Sequence, residues 1–570
     1  MADEINENLV GANNSLTKAL TLRAKQLQEV RRYYETGMWH DITRFVNPRR
    51  EGIKPEDYTR DKGRLRGKDA YNGTPGGALS VWADGMQGFL VSESLNWFRT
   101  ETSDWRVNQI DEVRAWLQEY DEAMYAAFRR SNFYPTNGLY FRDAGSIGTA
   151  TNYGEEDIAG GRAIFTCIHP REVFIAENRF GEVDTVFRQF EMTARTAVDK
   201  FGSERLPKLI TQNADNEPDK KHLFWHGCFP KTDKWAPSTN NPKKYRSIYF
   251  LDKEAMPNGN KVVQERGYDV FPYAVWRFRK NSDEIYGYSP AADALVEVFS
   301  LNQISKDLLE AAHRSVFPPV NAPEEMRGNV RITPDGINYY DDAQRIVRPV
   351  FDRIEFPVGI DREERLQKSI EDKYRVEFFL TLARAEREMT AYEIMERQSE
   401  KAVLMGPQVD QLYREGLMPL FDILSDIEDN AGRLPAAPSG LTDEFPGLRL
   451  NIQLTGPLAQ AQKRLFRMQP IKNAINELAP MAQLFPNVLD RINEDEMAEE
   501  ILESAAFPQK LIRTDDEVKQ IREQRAAALQ QQQAMEAAQG MADAVPKLSK
   551  SVEPNSPLDM LAGAGIGAGA

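Results

Sequence analysis

EIYGYSPAADALVEVFSLNQISKDLLEAA, residues 284–312, is the stretch on which the fold turns. Ser289 is placed to cap a helix, and Pro290 takes the first helical position, where its missing N–H costs nothing. The apolar spacing predicts a helix to about 316, where Pro318-Pro319 stop it, a rod of about 40 Å. A compact segment comes next, 317–360, in which NVRI and INYY read as short strands around the Pro334-Asp335-Gly336 turn. A second long helix is predicted over 361–385. Leu366, Ile370, Tyr374 and Phe378 recur every four residues and mark its buried face, while Asp361, Glu364, Arg365, Lys368, Asp372 and Arg375 lie on the opposite side. A third begins at Thr390, which forms a capping box with Glu393, and runs to about 430 with kinks expected at Pro407 and Pro419.

Upstream, residues 16–36 form an amphipathic pattern (Leu16, Leu20, Leu27, Val30, Tyr34) closed by Gly37, and 108–131 form another (Ile110, Val113, Leu117, Tyr120, Met124). Asn72-Gly73 and Gly76-Gly77 between them read as turns. From about 160 to 280 the texture becomes β: RAIFTCIH, EVFIA, VDTVFRQFEM, HLFWHGCF, RSIYFLD and YAVWRFRK, with a helical insert at 193–206. Beyond 457 the chain is helical again, with segments at 487–506 and from the Thr514/Glu517 capping box into a Gln run at 530–533. Residues before 16 and after about 542 are expected to be irregular. The fold class expected is α+β.

Net charge is −15, against the basic face that tight DNA binding requires. Two cysteines imply no disulfide framework, and the first residues lack the basic and apolar regions of a signal peptide. No run approaches the roughly 18 apolar residues of a membrane span.

Catalytic signatures are missing. GRLRGKD at 63–69 lacks the spacing and hydroxyl of a phosphate loop, and neither HExxH nor GxSxG occurs. Cys167, His169, His222, His226 and Cys228 have residue types that suit zinc, but their placement on strands favours half-buried structural roles. No cofactor is implied. The acidic run Glu494, Asp495, Glu496, Glu499, Glu500 and Glu503 reads as a solvated helix face.

Several long passages, in order, resemble the head-to-tail connecting (portal) family of short-tailed bacteriophages. They are the YGYSP passage at 284–312, MTAYEIMERQSEKAVLMGPQVDQLYREGLMPLFDIL at 389–424, GRLPAAP at 432–438 with GPLAQAQKR at 456–464, PNVLDRINEDEMAEEI at 486–501, and CIHPREVFIAENRFGEVDTVFRQFEMTA at 167–194. The resemblance covers most of residues 30–525. It implies a ring, typically of twelve copies, at one capsid vertex of the virion, assembled in the host bacterial cytoplasm. The implied partners are double-stranded DNA threaded without sequence preference, a terminase that supplies the packaging ATPase, tail adaptor and tail proteins, and capsid and scaffolding proteins; no membrane is involved.

The organisation implied is a flexible 1–15, a helical wing part 16–158 and a β-rich wing 159–288. Stem helices 289–316 and 361–385 then flank a clip at 317–360. A tunnel loop at 386–391, a wing helix and subsequent segments at 392–486, a crown at 487–541 and a free tail at 542–570 complete the chain. Candidate channel-lining residues are Arg365, Lys368, Asp372 and Arg375 on the second stem helix, with Arg384, Arg387 and Glu388 at the loop. A tail adaptor or collar ring is the structural alternative, and a metal- or nucleotide-dependent packaging enzyme is the alternative from another class.

Overall fold

A computed structural model describes residues 2–50, 52–53, 67–237, 239–253, 261–316, 320–322, 324, 327–331, 337–339, 347–349, 357–384, 405–439, 441, 445, 448–456, 469–484, 492–504, 513 and 515–549. These fall into two units, Met1–Asn493 and Glu494–Ala570.

The first unit mixes helix and sheet, as an α+β chain should. Its leading helices are α1 (Ala2–Thr36), α2 (Met38–Phe45) and α3 (Thr74–Leu90). Helix α1 begins well before Leu16, so residues 2–15 are helical rather than a free lead. Gly76-Gly77 lie inside α3 rather than in a turn, because Pro75 starts that helix and its apolar side packs inward at Ala78, Leu79, Trp82 and Met86. Strand β1 (Phe98–Thr102) precedes α4 (Asp111–Arg130) and α5 (Phe133–Ser146).

The β region opens with β2 (Thr149–Asp157), β3 (Arg162–Ile168), β4 (Val173–Glu177) and β5 (Val183–Thr193). The helical insert α6 (Ala194–Phe201) and α7 (Lys208–Asn216) comes next, then β6 (Lys221–Pro230), β7 (Tyr245–Leu251), β8 (Val262–Tyr268) and β9 (Tyr273–Arg277). Strands β4-β5-β6-β7-β8 form an antiparallel meander, and β3-β2-β9 form a second sheet.

Alternation along β6 explains why both of its faces are apolar. Trp225 and Phe229 meet Leu16, Leu20, Ala24 and Leu27 of α1, whereas Phe224 meets Ala197, Phe201 and Ile210 of α6 and α7. On that second face Cys228 joins the main core and His226 reaches the smaller sheet. The α1 contact is tied down by buried Arg31, which pairs with Glu35 and donates to the carbonyls of Arg171 (2.6 Å) and Val173 (2.8 Å).

Helices α8 (Pro290–Asp293) and α9 (Leu295–Val316) come after the sheets, with Ser289 Oγ accepting from the Ala292 N–H at 3.1 Å as its position predicts. A two-residue ladder then joins β10 (Val320–Asn321) and β11 (Arg348–Pro349). NVRI and INYY lie only partly within the described residues; there the Asn338 side chain bridges the Arg331 N–H (2.7 Å) and carbonyl (2.8 Å).

The second long helix is two: α10 (Pro357–Lys373) and α11 (Val376–Arg384), broken at Tyr374-Arg375. The third helix is described only from 405, so its expected start at Thr390 and Glu393 lies outside the described residues. It comprises α12 (Gly406–Leu412), a π turn at Tyr413–Leu417 and α13 (Met418–Asn430). Pro407 stands in the first turn of α12, and residues 385–404, on which the expected kink depends, lie outside the described residues. Pro419 has no N–H to offer residue 415, and the widened turn just before it, closed by Met418 N–H to Tyr413 carbonyl, absorbs the misfit. Strand β12 (Leu450–Leu454) returns to pair with β1, and α14 (Gln469–Leu484) lies beyond it.

The second unit holds α15 (Glu494–Ser504) and α16 (Asp515–Ser549), with Arg522 paired to Asp495. Helix α16 continues through 542–549, where an irregular chain was expected.

Candidate functional site

Helices α9 and α10 form an antiparallel pair. A Cβ on Gly359 would lie 2.8 Å from the Leu308 side chain, so at one end Leu308 packs directly on the α10 backbone. Midway, Glu363 accepts from the Ser305 hydroxyl at 2.6 Å and from Asn72 at 2.9 Å. At the other end Lys373 meets Glu297 at 2.7 Å and also donates to the Asp293 carbonyl. The predicted apolar repeat enters the core across α10, the break and α11: Ile370, Tyr374 and Phe378 are buried, and Leu366 packs against the same core.

That packing leaves the opposite face of α10 in solvent. Arg365, Lys368 and Asp372 are exposed there, together with Asp361, Arg362, Glu364 and Glu371. Arg365 pairs with Asp361 at 3.0 Å, one turn apart. Counting Arg375 at the helix end, Asp361, Glu364, Glu371 and Asp372 balance Arg362, Arg365, Lys368 and Arg375, so the stripe is highly charged and sums to zero. Such a surface stays hydrated and engages few phosphates at net gain, because DNA affinity rises with each phosphate neutralised. Arg362 and Glu371 were not singled out from the sequence, although the helical period places them at the stripe's margins.

Arg375 sits in the break with φ of 56°. Arg384 is the last residue of α11, and Arg387 and Glu388 lie outside the described residues.

The five zinc-type residues are held in different local environments. Cys167 lies against Asp143 (3.6 Å) and Arg50 (3.7 Å). His169 caps the Arg171 N–H at 3.2 Å, and His222 Nε2 is 3.2 Å from the Asn213 amide. His226 bonds the Tyr273 hydroxyl (2.5 Å) and the Ser247 hydroxyl (2.8 Å), and its ring stacks on Tyr249. Cys228 is buried in apolar core, which pushes its thiol well above the usual range. Among the described residues no group of three or more His, Cys, Asp or Glu is arranged to hold a metal ion.

A different polar centre is not apparent from the sequence. Arg277, fully buried on β9, pairs with Glu177 of β4 and with Glu415 of the π turn; its backbone N–H and Nε each donate to Glu415 Oε2 at 3.0 Å. One arginine thereby joins both sheets to the α12–α13 helix. Burial opposes its charge, but the two carboxylates outweigh burial and hold its pKa above normal.

With this hairpin and its bracing in place, comparison with known proteins is decisive: residues 17–512 match the family of bacteriophage head to tail connecting proteins. The chain belongs to that family. Two relatives of this connecting protein carry portal names: the portal protein of Salmonella phage epsilon15, 27% identical over 92% of this chain and 94% of that one, and the probable portal protein of Bordetella phage BPP-1, 28% identical with the same coverage. The connecting family is structural rather than enzymatic. No helix of this connecting protein, among the described residues, is long and apolar enough to cross a membrane.

Proposed function

We propose that the chain is the portal subunit of a short-tailed phage. Copies form a ring at one capsid vertex, and genomic DNA passes through the bore during packaging and ejection. The observation that carries this is the family match over 17–512, supported by the portal names of both relatives. In this reading the α9–α10 pair is the stem (289–316 and 361–385) and 317–360 is the clip. Residues 386–391 form the tunnel loop, 392–486 the wing helix and the segments after it, and 487–541 the crown. The ring holds twelve copies, takes up a terminase at the clip during packaging and a tail adaptor afterwards, and sits among capsid and scaffolding proteins assembled in the bacterial cytoplasm.

The chain performs no covalent chemistry here. Its work is steric and electrostatic: the neutral, highly charged stripe of α10, repeated around the axis, keeps the duplex hydrated and loosely held. Electron microscopy of purified protein should show a winged ring with a central channel; a protein that stays monomeric at every concentration contradicts the reading. Lys368→Glu should leave ring assembly intact and lower the yield of packaged genomes, and an unchanged yield would remove the stripe from the lumen.

A further inference from the structure

Two amides are buried in the first unit without hydrogen bonds. Asn137 on α5 is 1% exposed and Asn152 on β2 is 0% exposed. Neither the side-chain oxygen nor the side-chain nitrogen of either residue has a partner among the described residues. Buried amides are nearly always bonded, because stripping one of water without replacing its partners is costly. Asn132, just before α5, shows the usual arrangement: it accepts from the Phe165 N–H at 2.7 Å and donates to the Phe165 carbonyl at 2.8 Å.

Strand register brings the two amides to one place. Asn152 projects from the same face of β2 as Ala150 and Gly154, whose cross-strand partners are Trp276 and Phe165. Helix α5 lies on that face. Phe133 packs on Phe165 at 5.5 Å between ring centroids, and Tyr140 and Phe141 pack on Trp276 at 5.7 and 5.6 Å. The helix therefore runs along β2 from the level of Gly154 to the level of Ala150. Asn137 stands one turn after Phe133 and one turn before Tyr140 and Phe141, on the same side, which sets it over Asn152. The neighbours of Asn152 on that face are small: Ala150, Gly154 and, across the strand pair, Ala274. They leave room beside the amide. The Trp276 indole N–H, fully buried and also without a partner, lies on the next pair along.

We infer that Asn137 and Asn152 together hold an ordered water between α5 and the smaller sheet. The occupant must be small, neutral and able both to donate and to accept, because each amide offers both functions. Water does this with two to four bonds at sites enclosed in protein. An ion does not fit, since the amides bring no charge to offset its desolvation, and Asp143, farther along α5, is already paired with Arg50 at 2.8 Å. An apolar guest would leave the amides unpaired. The site lies at a joint of the fold. A Cβ on Gly416 of the π turn would stand 3.4 Å from the Tyr140 hydroxyl and 3.5 Å from Trp276 Cβ, so α5, the smaller sheet and the α12–α13 helix meet there.

This hydration site is independent of the portal-ring function, and it is tested on the full-length chain in whatever assembly that chain forms. A crystal or electron-microscopy structure that resolves ordered water should show a density peak within about 3.2 Å of an amide atom of each asparagine. Absence of such a peak, or the two amides bonded directly to each other, overturns the site. Independently, melting temperatures of Asn137→Leu, Asn152→Val and the double variant should be strongly coupled. One substitution strands the other amide, whereas both together leave none to satisfy, so the double variant should melt at or above the less stable single. Losses that simply add would show two unconnected amides and overturn the shared water.

Discussion

At the scale of single residues, two buried polar groups decide how firmly the sheets are held. His226 is enclosed by Tyr273, Ser247, Tyr249 and Tyr153, and burial, with smaller contributions from Lys200 and Arg188, drives its pKa well below the ordinary value. In the unfolded chain the imidazole takes a proton near pH 6.5, whereas in the fold it resists until far lower pH. Below about pH 6.5 the unfolded state therefore binds more protons, and stability falls as pH drops, by up to about 1.4 kcal/mol per pH unit from this group. Thermal unfolding between pH 7.5 and 5.5 should show that slope in the parent and a flatter one in His226→Gln, even though the variant is weaker at neutral pH; equal slopes would mean another group carries the linkage. Arg277 is the second case. Replacing it with Met leaves Glu415 without its cation while Glu177 keeps Lys280 at 2.6 Å, and removing one partner from a buried ion pair costs about 3–5 kcal/mol. Denaturant unfolding of the Arg277→Met chain should lose that much, and a loss within about 1 kcal/mol would show that the cluster relaxes into solvent.

At the scale of elements, the two helices around residues 289–385 were legible because capping, proline placement and a four-residue apolar repeat agreed with one another. The break at Tyr374-Arg375 was not, since it contains neither glycine nor proline and the repeat runs straight through it to Phe378. Tertiary packing imposes it. In an unbroken helix Phe379 would stand half a turn from Ile370, facing away from the core; the break turns Val376, Phe378 and Phe379 inward together, with Phe379 against Gly85 where no Cβ would fit. The same logic hid β2, whose sequence TATNYGEED has little β character yet is the centre of its sheet, between β3 and β9. The charged stripe was legible because periodicity alone fixes which side of α10 faces out, whereas Arg277 was not, since its partners come from two distant segments. Arg375 bears the cost of the break: a left-handed backbone costs a non-glycine residue roughly 1–2 kcal/mol. Stability should therefore rank Arg375→Gly at or above the parent and Arg375→Val below both, as read from melting temperatures. A valine variant as stable as the parent would mean that the left-handed turn is not retained in solution.

For the whole molecule, charge sets how a duplex can pass without being caught. The chain carries −15 overall, so its exterior repels DNA, and the α10 stripe adds no net attraction. With the stripe on the lumen of the ring, as proposed, every stripe charge is repeated and small changes per chain become large fields in the bore. Glu364→Lys with Asp372→Lys would turn four balanced pairs into an excess of four positive charges per copy, because each reversal changes the sum by two. A bore of that kind should grip phosphate. Fluorescence polarisation with a short linear duplex should show weak binding by parent rings at about 0.15 M salt, where screening acts within roughly 8 Å. Variant rings should bind more tightly, with a logarithmic salt slope steeper by about 0.9 for each additional phosphate neutralised. If the slope does not change, the stripe does not face the DNA, and the loose grip that lets the genome slide has to come from other residues.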